Sequence, residues 1–149
     1  MGTVHDVATY ILQKQGSMSA MKLQKLCYYS QAWNLVWEEA PLFPERIEAW
    51  ANGPVIRDLY NEHRGQFTVS TEDLSKGDPE RLTPRERGNI DIVLDFYGGR
   101  PAHELSELTH RESPWRDARG QLPPGANSTA EITPTAMHEY YDGLVGTGD

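Results

Sequence analysis

Residues 21–60 read MKLQKLCYYSQAWNLVWEEAPLFPERIEAWANGPVIRDLY and carry the strongest structural signal in the chain. Ser19 can cap a helix that continues to about Glu39, roughly 30 Å at 1.5 Å per residue. Within residues 26–37, apolar side chains fall on nearly every face of this helix. A helix that is apolar on all sides is typical of a buried central helix. The alternative is that one aromatic edge forms a groove for a partner.

Prolines and a glycine divide the region that follows this helix. Pro41 and Pro44 end the helix, because proline cannot continue the hydrogen-bond ladder. The next residues can form at most a short β-hairpin, near residues 42–52. Asn52-Gly53-Pro54 is a turn signal, and a proline suits the first position of a helix. The sequence therefore predicts that a short helix begins at Pro54 and ends between residues 63 and 65.

Capping residues locate the helices on either side of this region. Thr3 and Asp6 form a capping-box pattern, and Thr83-Pro84-Arg85-Glu86 adds a first-turn proline to the same pattern. Pro114 is expected to end a helix that starts after Pro101, and residues 66–82 are expected to form a loop. The predicted helices cover about residues 4–15, 19–39, 54–65, 83–98, 101–113 and 133–141.

These elements predict a mainly α fold, a compact single domain of about six helices with at most the short β-hairpin. We place the domain at residues 1–141 and expect residues 142–149 to fray as a C-terminal tail. The longest apolar runs are a few residues, far below the roughly 18 that a membrane span needs, so no membrane association is expected. Cys27 is the single cysteine, which favours a buried thiol and fits a reducing compartment.

Charge is unevenly distributed along the chain. Fourteen Lys and Arg against 22 Asp and Glu give a net charge of −8. Residues 1–37 hold three lysines and one aspartate, whereas residues 38–82 hold five basic and ten acidic side chains and residues 83–149 hold six and eleven. Nucleic-acid binders need clustered basic side chains, so direct nucleic-acid binding is disfavoured. An acidic surface favours a basic protein partner.

His103, Glu107 and His110 are the one arrangement that suggests metal chemistry. Their spacing places all three side chains on one helical face, where they could bind Zn²⁺ with an open fourth position and act as a metal-dependent hydrolase. The two histidines, however, are about 10 Å apart along the helix axis, which is far for one metal ion. The simpler interpretation is hydrogen-bonded histidines beside a surface glutamate. No Ser or Cys stands in a nucleophile motif, and we predict no catalytic residue and no cofactor.

Residues 109–115, THRESPW, combine a threonine, a histidine and a tryptophan around a predicted helix end. An imidazole bonded to a carbonyl or a hydroxyl, and covered by Trp115, would make a polar cluster. Two interpretations stay open for such a cluster. It can fix the ends of the helices, or it can present a recognition surface.

Several segments together resemble a known family. KLQKLCYYSQAW, PLF followed after three residues by IEAWANGPV, and then LTHRESPWRDAR occur in the order and spacing of the Panacea domain, a family of SocA-like antitoxins and phage-associated proteins. A Gly-containing connector and a last helix with two adjacent tyrosines complete the pattern. Residues 70–81 have no counterpart that we can place.

The resemblance implies a small, mostly helical cytoplasmic domain that neutralises a cognate toxin by direct binding. It also implies diverse toxins, among them alarmone-synthetase-like translation inhibitors, and in some members delivery of the toxin to a protease as an adaptor. The family is not known for enzymatic activity. Self-association stays open. As candidate anchors for the partner we name six residues of the types that dominate protein interfaces: Trp37, Trp50, Arg57, Tyr60, His110 and Trp115.

Overall fold

A buried helix, Ala20–Glu38, lies at the centre of the protein. The structure is a computed structural model that describes residues 2–147. The Ser19 hydroxyl accepts a hydrogen bond from the Lys22 amide at 3.2 Å and caps the helix as predicted. Side chains from every part of its circumference are buried, among them Leu23, Leu26, Cys27, Tyr28, Tyr29 and Ala32. The predicted central helix is therefore confirmed.

Seven α-helices and five short strands, with two 3-10 turns at residues 71–73 and 79–81, form the part of the chain that the structure describes. The helices are α1 (Val4–Gln15), α2 (Ala20–Glu38), α3 (Arg57–His63), α4 (Pro84–Tyr97), α5 (Ala102–Arg111), α6 (Ser113–Arg119) and α7 (Pro134–Thr147). The strands are β1 (Met18–Ser19), β2 (Ile47–Trp50), β3 (Gly53–Ile56), β4 (Thr68–Val69) and β5 (Glu131–Ile132). The mainly α class is confirmed. None of the helices within residues 2–147 is long and apolar enough to cross a bilayer.

Two buried glutamines of α2 hold extended backbone against the helix. The Gln24 amide donates to the Ile56 carbonyl at 3.3 Å and accepts from the Ile56 amide at 2.8 Å. Gln31 repeats this arrangement, since it donates to the Phe43 carbonyl at 2.8 Å and accepts from the Leu42 amide at 2.6 Å. Each side chain thus pairs with backbone as a neighbouring strand would, which satisfies polar groups that would be costly to bury alone.

The strands form one three-stranded and one two-stranded antiparallel sheet. β2 is central in the order β3-β2-β5, with Ile47 opposite both Ile56 and Ile132. β1 pairs with β4 in the smaller sheet. The predicted hairpin is therefore present but lies over residues 47–56, later than the predicted 42–52, and a third strand joins it from far along the chain.

The prediction that Pro54 begins a helix was wrong. Pro54 lies in β3, opposite Ala49, and α3 begins three residues later at Arg57. β3 is at the edge of its sheet, where the missing N–H of a proline is tolerated. Gly53 has a φ of 123°, which lets the chain reverse direction directly before the proline.

The prediction that Pro114 ends a helix was also wrong. Pro114 lies in an additional helix, so the described residues contain seven α-helices where six were predicted. α5 ends at Arg111, and Pro114 lies in the first turn of α6. In the first turn of a helix the backbone N–H groups have no acceptor within the helix, so a proline there costs no hydrogen bond. Pro114 therefore begins a further helix and does not end the preceding one.

Two further predicted segments contain more regular structure than expected. Residues 66–82 include β4 and both 3-10 turns, and Asp6 of α1 fixes this segment by accepting from the Asp78 amide at 2.7 Å. At the C-terminus, α7 continues through residues 142–147 of the segment that was expected to fray. Residues 148 and 149 lie outside the described residues. The domain boundary after residue 141 stays a prediction.

Candidate partner-binding surfaces

Three of the six candidate anchors come together in one concavity. Trp50 from the end of β2 and Arg57 and Tyr60 from α3 line a groove of ≈ 500 Å³. The first turns of α2 and the connector ahead of β5 close its other sides. We call this concavity the Trp50 groove, and its lining includes Met21, Gln24, Lys25, Trp50, Asn52, Arg57, Tyr60, His63 and residues 127–129.

The three anchors contact one another in fixed geometry. The Trp50 and Tyr60 rings meet edge to face with centroids 4.9 Å apart. The Arg57 guanidinium carbon lies 5.3 Å from the centroid of the Trp50 ring. Arg57 and Tyr60 are one helical turn apart, so both side chains of α3 face the strand end that carries Trp50. Trp, Tyr and Arg are the side chains most enriched at the energetic centres of protein interfaces.

Glu48 holds two of these anchors from below. Its side chain is buried, and Oε1 accepts from Trp50 Nε1 at 2.8 Å and from Arg57 Nη2 at 2.9 Å. Burial by itself would raise the pKa of Glu48, but hydrogen bonds from Arg57 and Trp50 outweigh it and lower the pKa below its usual value. The carboxylate is therefore ionised at neutral pH. Glu48 therefore holds the Trp50 and Arg57 side chains in fixed positions.

His110 and Trp115 lie behind the groove as part of its support. Their rings stack with centroids 4.0 Å apart, and Trp115 Nε1 donates to the Trp50 carbonyl at 2.8 Å. Trp115 is 8% exposed. Burial and the positive charge of Lys25 lower the pKa of His110. Of the two interpretations of residues 109–115, these contacts favour the one in which the cluster fixes the helix ends.

The floor of the groove holds residues that the sequence did not identify as functional. Lys25 is 1% exposed, and its Nζ donates to the Pro54 carbonyl at 3.3 Å. Gln24 Nε2 lies 2.9 Å from His63 Nε2. Because an amide nitrogen only donates, the His63 ring accepts and is neutral, which agrees with a pKa lowered by burial. The sequence offered one signal for Gln24 and Lys25. Both are polar residues on a helix that is otherwise buried, so each must find a hydrogen-bond partner inside the protein.

Trp37, the sixth anchor, lies in a different groove. It is 38% exposed and, with Trp33, lines a concavity of ≈ 670 Å³ between α2, α4, α5 and α7. We call this the Trp37 groove, and its exposed large apolar side chains are Trp37, Ile92, Phe96, Leu144 and Val145. It is more apolar than the Trp50 groove, and the structure separates Trp37 from the other five anchors.

A buried carboxyl group lies at the base of the Trp37 groove. Glu112 is 6% exposed, and its Oε1 accepts from the hydroxyls of Tyr29 and Tyr141, both at 2.7 Å. Tyr28 extends this network, with its hydroxyl 3.0 Å from that of Tyr141. Burial raises the pKa of Glu112, and the two tyrosine hydrogen bonds offset part of that increase. The network joins α2 to α7 and to the residue between α5 and α6.

The alternative metal site does not form. His103, Glu107 and His110 lie on α5 as predicted, but Glu107 pairs with Arg111 at 3.7 Å while His110 stacks on Trp115. Within residues 2–147, no three His, Cys, Asp or Glu side chains are arranged so that they could hold a metal ion. The three side chains therefore give no support to a metal-dependent hydrolase.

Comparison with known proteins identifies the family. The model of the family described as antitoxin SocA-like, Panacea domain, matches residues 23–116, which is more than half of the chain. The matched region contains all six candidate anchors, together with Glu48 and Lys25. Comparisons with curated proteins and with solved structures found no significant match. The chain therefore belongs to the SocA-like antitoxin family with a Panacea domain.

Proposed function

We propose that this protein is an antitoxin that neutralises a cognate toxin by binding it directly, and that it acts as a binding protein rather than as an enzyme. The observation that carries this proposal is the match of the SocA-like antitoxin family over residues 23–116. A toxin partner is implied by that family in general. We propose that the partner is a protein encoded beside this one. An alarmone-synthetase-like toxin is one candidate for it.

The Trp50 groove is our candidate for the surface that contacts the toxin. Trp50, Arg57 and Tyr60 are the residue types expected at an energetic centre, and Glu48 fixes two of them in advance. The Trp37 groove is the competing surface, because exposed apolar concavities often mark interaction sites. We favour the Trp50 groove because three candidate anchors, Trp50, Arg57 and Tyr60, come together in it, whereas Trp37 is the one candidate anchor in the other groove.

Charge supports a basic partner. The net charge of −8 gives the surface a field that attracts basic proteins and repels nucleic acids. Such a field mainly raises the association rate, while well-packed anchors slow dissociation. We therefore expect the rate of complex formation to fall as the salt concentration rises.

Co-expression in a bacterial host tests this function. The adjacent gene is induced alone, with the wild-type antitoxin, and with a Tyr60→Ala variant whose folding is verified separately. We expect growth arrest with the adjacent gene alone, rescue by the wild-type protein, and weaker rescue by the variant. If the neighbouring product is harmless, or if the wild-type protein does not relieve its toxicity, the proposed function is wrong.

The abundance of the toxin in the same cultures distinguishes two routes to neutralisation. Neutralisation by binding leaves the toxin level unchanged, and the two proteins purify as a complex. An adaptor that delivers the toxin to a protease would lower the toxin level, and deletion of that protease would abolish the rescue. We expect the first pattern, and the second would replace direct occlusion with handover.

A further inference from the structure

The amine of Lys25 is buried without a counter-charge. Within residues 2–147, no carboxylate lies within ion-pair distance of Lys25 Nζ, and the Pro54 carbonyl at 3.3 Å is the hydrogen-bond acceptor that the structure gives it. An ammonium group has three donors, so two are available. Gly53 provides the space for this side chain, since a Cβ at that position would lie 2.5 Å from Lys25 Cε and 3.2 Å from Nζ.

Such an arrangement costs free energy in the absence of a ligand. A buried charge is normally paired, because desolvation strongly disfavours the charged form. Burial accordingly lowers the pKa of Lys25 to about 7. An anion placed beside Nζ would compensate the desolvated charge and restore the ammonium form. The unpaired amine therefore favours an anionic ligand over a neutral one.

The groove above Lys25 is suited to an anion although the protein as a whole is acidic. None of the described residues that line the Trp50 groove is Asp or Glu, whereas Lys25 and Arg57 both line it. Its volume of ≈ 500 Å³ lies in the range of small-molecule sites, about 300–1,000 Å³. The Trp50 and Tyr60 rings on the wall offer a surface on which a flat ring can pack.

We propose that the Trp50 groove binds a small aromatic oxyanion, with the carboxylate or phosphate group at Lys25 Nζ and the ring against Trp50 and Tyr60. This inference rests on the proposed function in one respect. If the groove also contacts the toxin, then the small anion competes with the toxin and regulates neutralisation.

The ligand affinity should depend on pH, because the ammonium form of Lys25 is the form that attracts an anion. Above about pH 7, the affinity should fall by up to tenfold per pH unit. The other titratable or charged groups that face the site are Arg57, Tyr60 and His63 of α3, His110 of α5, and Glu48 beneath Arg57. Burial lowers the pKa of His63 and of His110, which favours the neutral form of both rings above pH 7.

Titration of the free protein with small-molecule probes tests the inference, and binding is measured by amide chemical shifts and by calorimetry. The probes are benzoate, phenyl phosphate and the neutral analogue benzamide, each at about pH 6.5 and about pH 9. Lys25→Met removes the charge at nearly constant volume, and Lys22→Met is the matched control on the same helix. Asn127→Trp fills the groove while it leaves Lys25 in place.

We expect at least one of the two anions to bind the wild-type protein and the Lys22→Met variant at the lower pH, with shifts at the groove residues and at least tenfold weaker binding at the higher pH. Binding should be lost in Lys25→Met and in Asn127→Trp, and benzamide should not bind. Preference for benzoate or for phenyl phosphate identifies the anionic group. Lys25→Met removes a buried amine but also removes the donor to the Pro54 carbonyl, so the folding of this variant is verified before the titration.

Several results would overturn the inference: no binding of either anion to the wild type, equal binding to Lys25→Met, or equal binding of benzamide. The outcome is separable from that of the proposed function. A protein that neutralises its toxin but binds neither anion contradicts only the anion site. Anion binding by a protein that neutralises no toxin contradicts only the proposed function. An anion that binds without displacing the toxin contradicts the regulatory competition.

Discussion

Gly53 and Lys25 are in close contact, and the absence of a side chain at Gly53 explains how the Lys25 side chain fits there. The backbone of Gly53 has a φ of 123°, a conformation that L-residues rarely adopt, and Lys25 Cε lies where a Cβ would be. The sequence indicated a turn at Asn52-Gly53-Pro54 but not this contact. Local turn chemistry is visible in a sequence, whereas the approach of a residue from another element is not.

Gly53→Ala should destabilise the protein by about 1–3 kcal/mol, because it combines backbone strain with a collision with Lys25. Chemical denaturation at neutral pH measures this loss. Gly88→Ala is the matched control, since Gly88 is exposed within α4 and a methyl group there would point into open space. The control should be about 0.5–1 kcal/mol more stable than the wild type. Equal stability of the Gly53→Ala variant and the wild type would contradict the proposed contact.

Glu48 determines the geometry of the Trp50 groove from inside the protein. It lies between apolar neighbours in β2, and alternation along a strand does not distinguish a buried glutamate from a solvated one. Its role becomes visible once Trp50 and Arg57 are seen to donate to the same carboxylate oxygen. The sequence thus predicted Trp50 and Arg57 as candidate anchors, because their residue types are characteristic of interfaces, and missed Glu48, which positions both side chains.

Glu48→Gln should cost about 1–3 kcal/mol of stability at neutral pH, because the carboxylate loses its charge-assisted hydrogen bonds. The pKa of Glu48 is lowered in the folded protein, so its contribution is present above the ordinary value of 4.5 and is lost as pH falls through the lower folded value. Denaturation at a series of pH values should therefore show the wild-type advantage shrinking in acid. Glu72→Gln, an exposed control, should show little change. A Glu48→Gln penalty that is the same at all pH values would contradict this role.

Among the secondary-structure elements, α2 connects most of the molecule. Gln24 and Gln31 hold extended backbone on one side, and Tyr28 and Tyr29 reach Tyr141 and Glu112 on the other. Helix starts with a cap and a nearby proline were predictable because those signals are local. The pairing of β2 with β5 was not, because the partner strand is more than eighty residues away and is only two residues long.

Glu112→Gln should change the pH dependence of stability at the point where α2, α6 and α7 meet. The pKa of Glu112 is raised by burial, so its favourable contribution is complete below the ordinary value of 4.5 and is lost as pH rises through the folded value. Glutamine can still accept both tyrosine hydrogen bonds but does not ionise. Relative to the wild type, the variant should therefore gain stability as pH rises above about 4.5.

Denaturation across this pH range measures the difference between the two proteins, so that contributions from other titrating groups cancel. Glu139→Gln, an exposed change on α7, is the control and should run parallel to the wild type. A constant difference between wild type and Glu112→Gln would show that Glu112 titrates alike in the folded and unfolded chains. A difference that moves in the opposite direction would show that its carboxylate is stabilised by folding.

At the scale of the whole molecule, an acidic protein presents one concavity with basic and aromatic lining and another that is apolar. Net charge and composition predicted a protein that binds basic partners. Both quantities average over the whole surface, so they do not reveal a local patch of positive charge such as the one at Lys25 and Arg57. The family is evident from the order of several segments. The location of the interface depends on which side chains the fold brings together, and Trp37 is separated from the other anchors.

The most direct test is the dissociation constant of the complex between this protein and the product of the adjacent gene, measured for the wild type and for one variant in each groove. Tyr60→Ala truncates an aromatic ring in the Trp50 groove, and Phe96→Ala makes a matched truncation in the Trp37 groove. We expect Tyr60→Ala to weaken binding about 30-fold or more, and Phe96→Ala to change it by less than about threefold. Unchanged affinity for a folded Tyr60→Ala variant, together with loss of binding in Phe96→Ala, would place the toxin in the other groove and contradict the assignment.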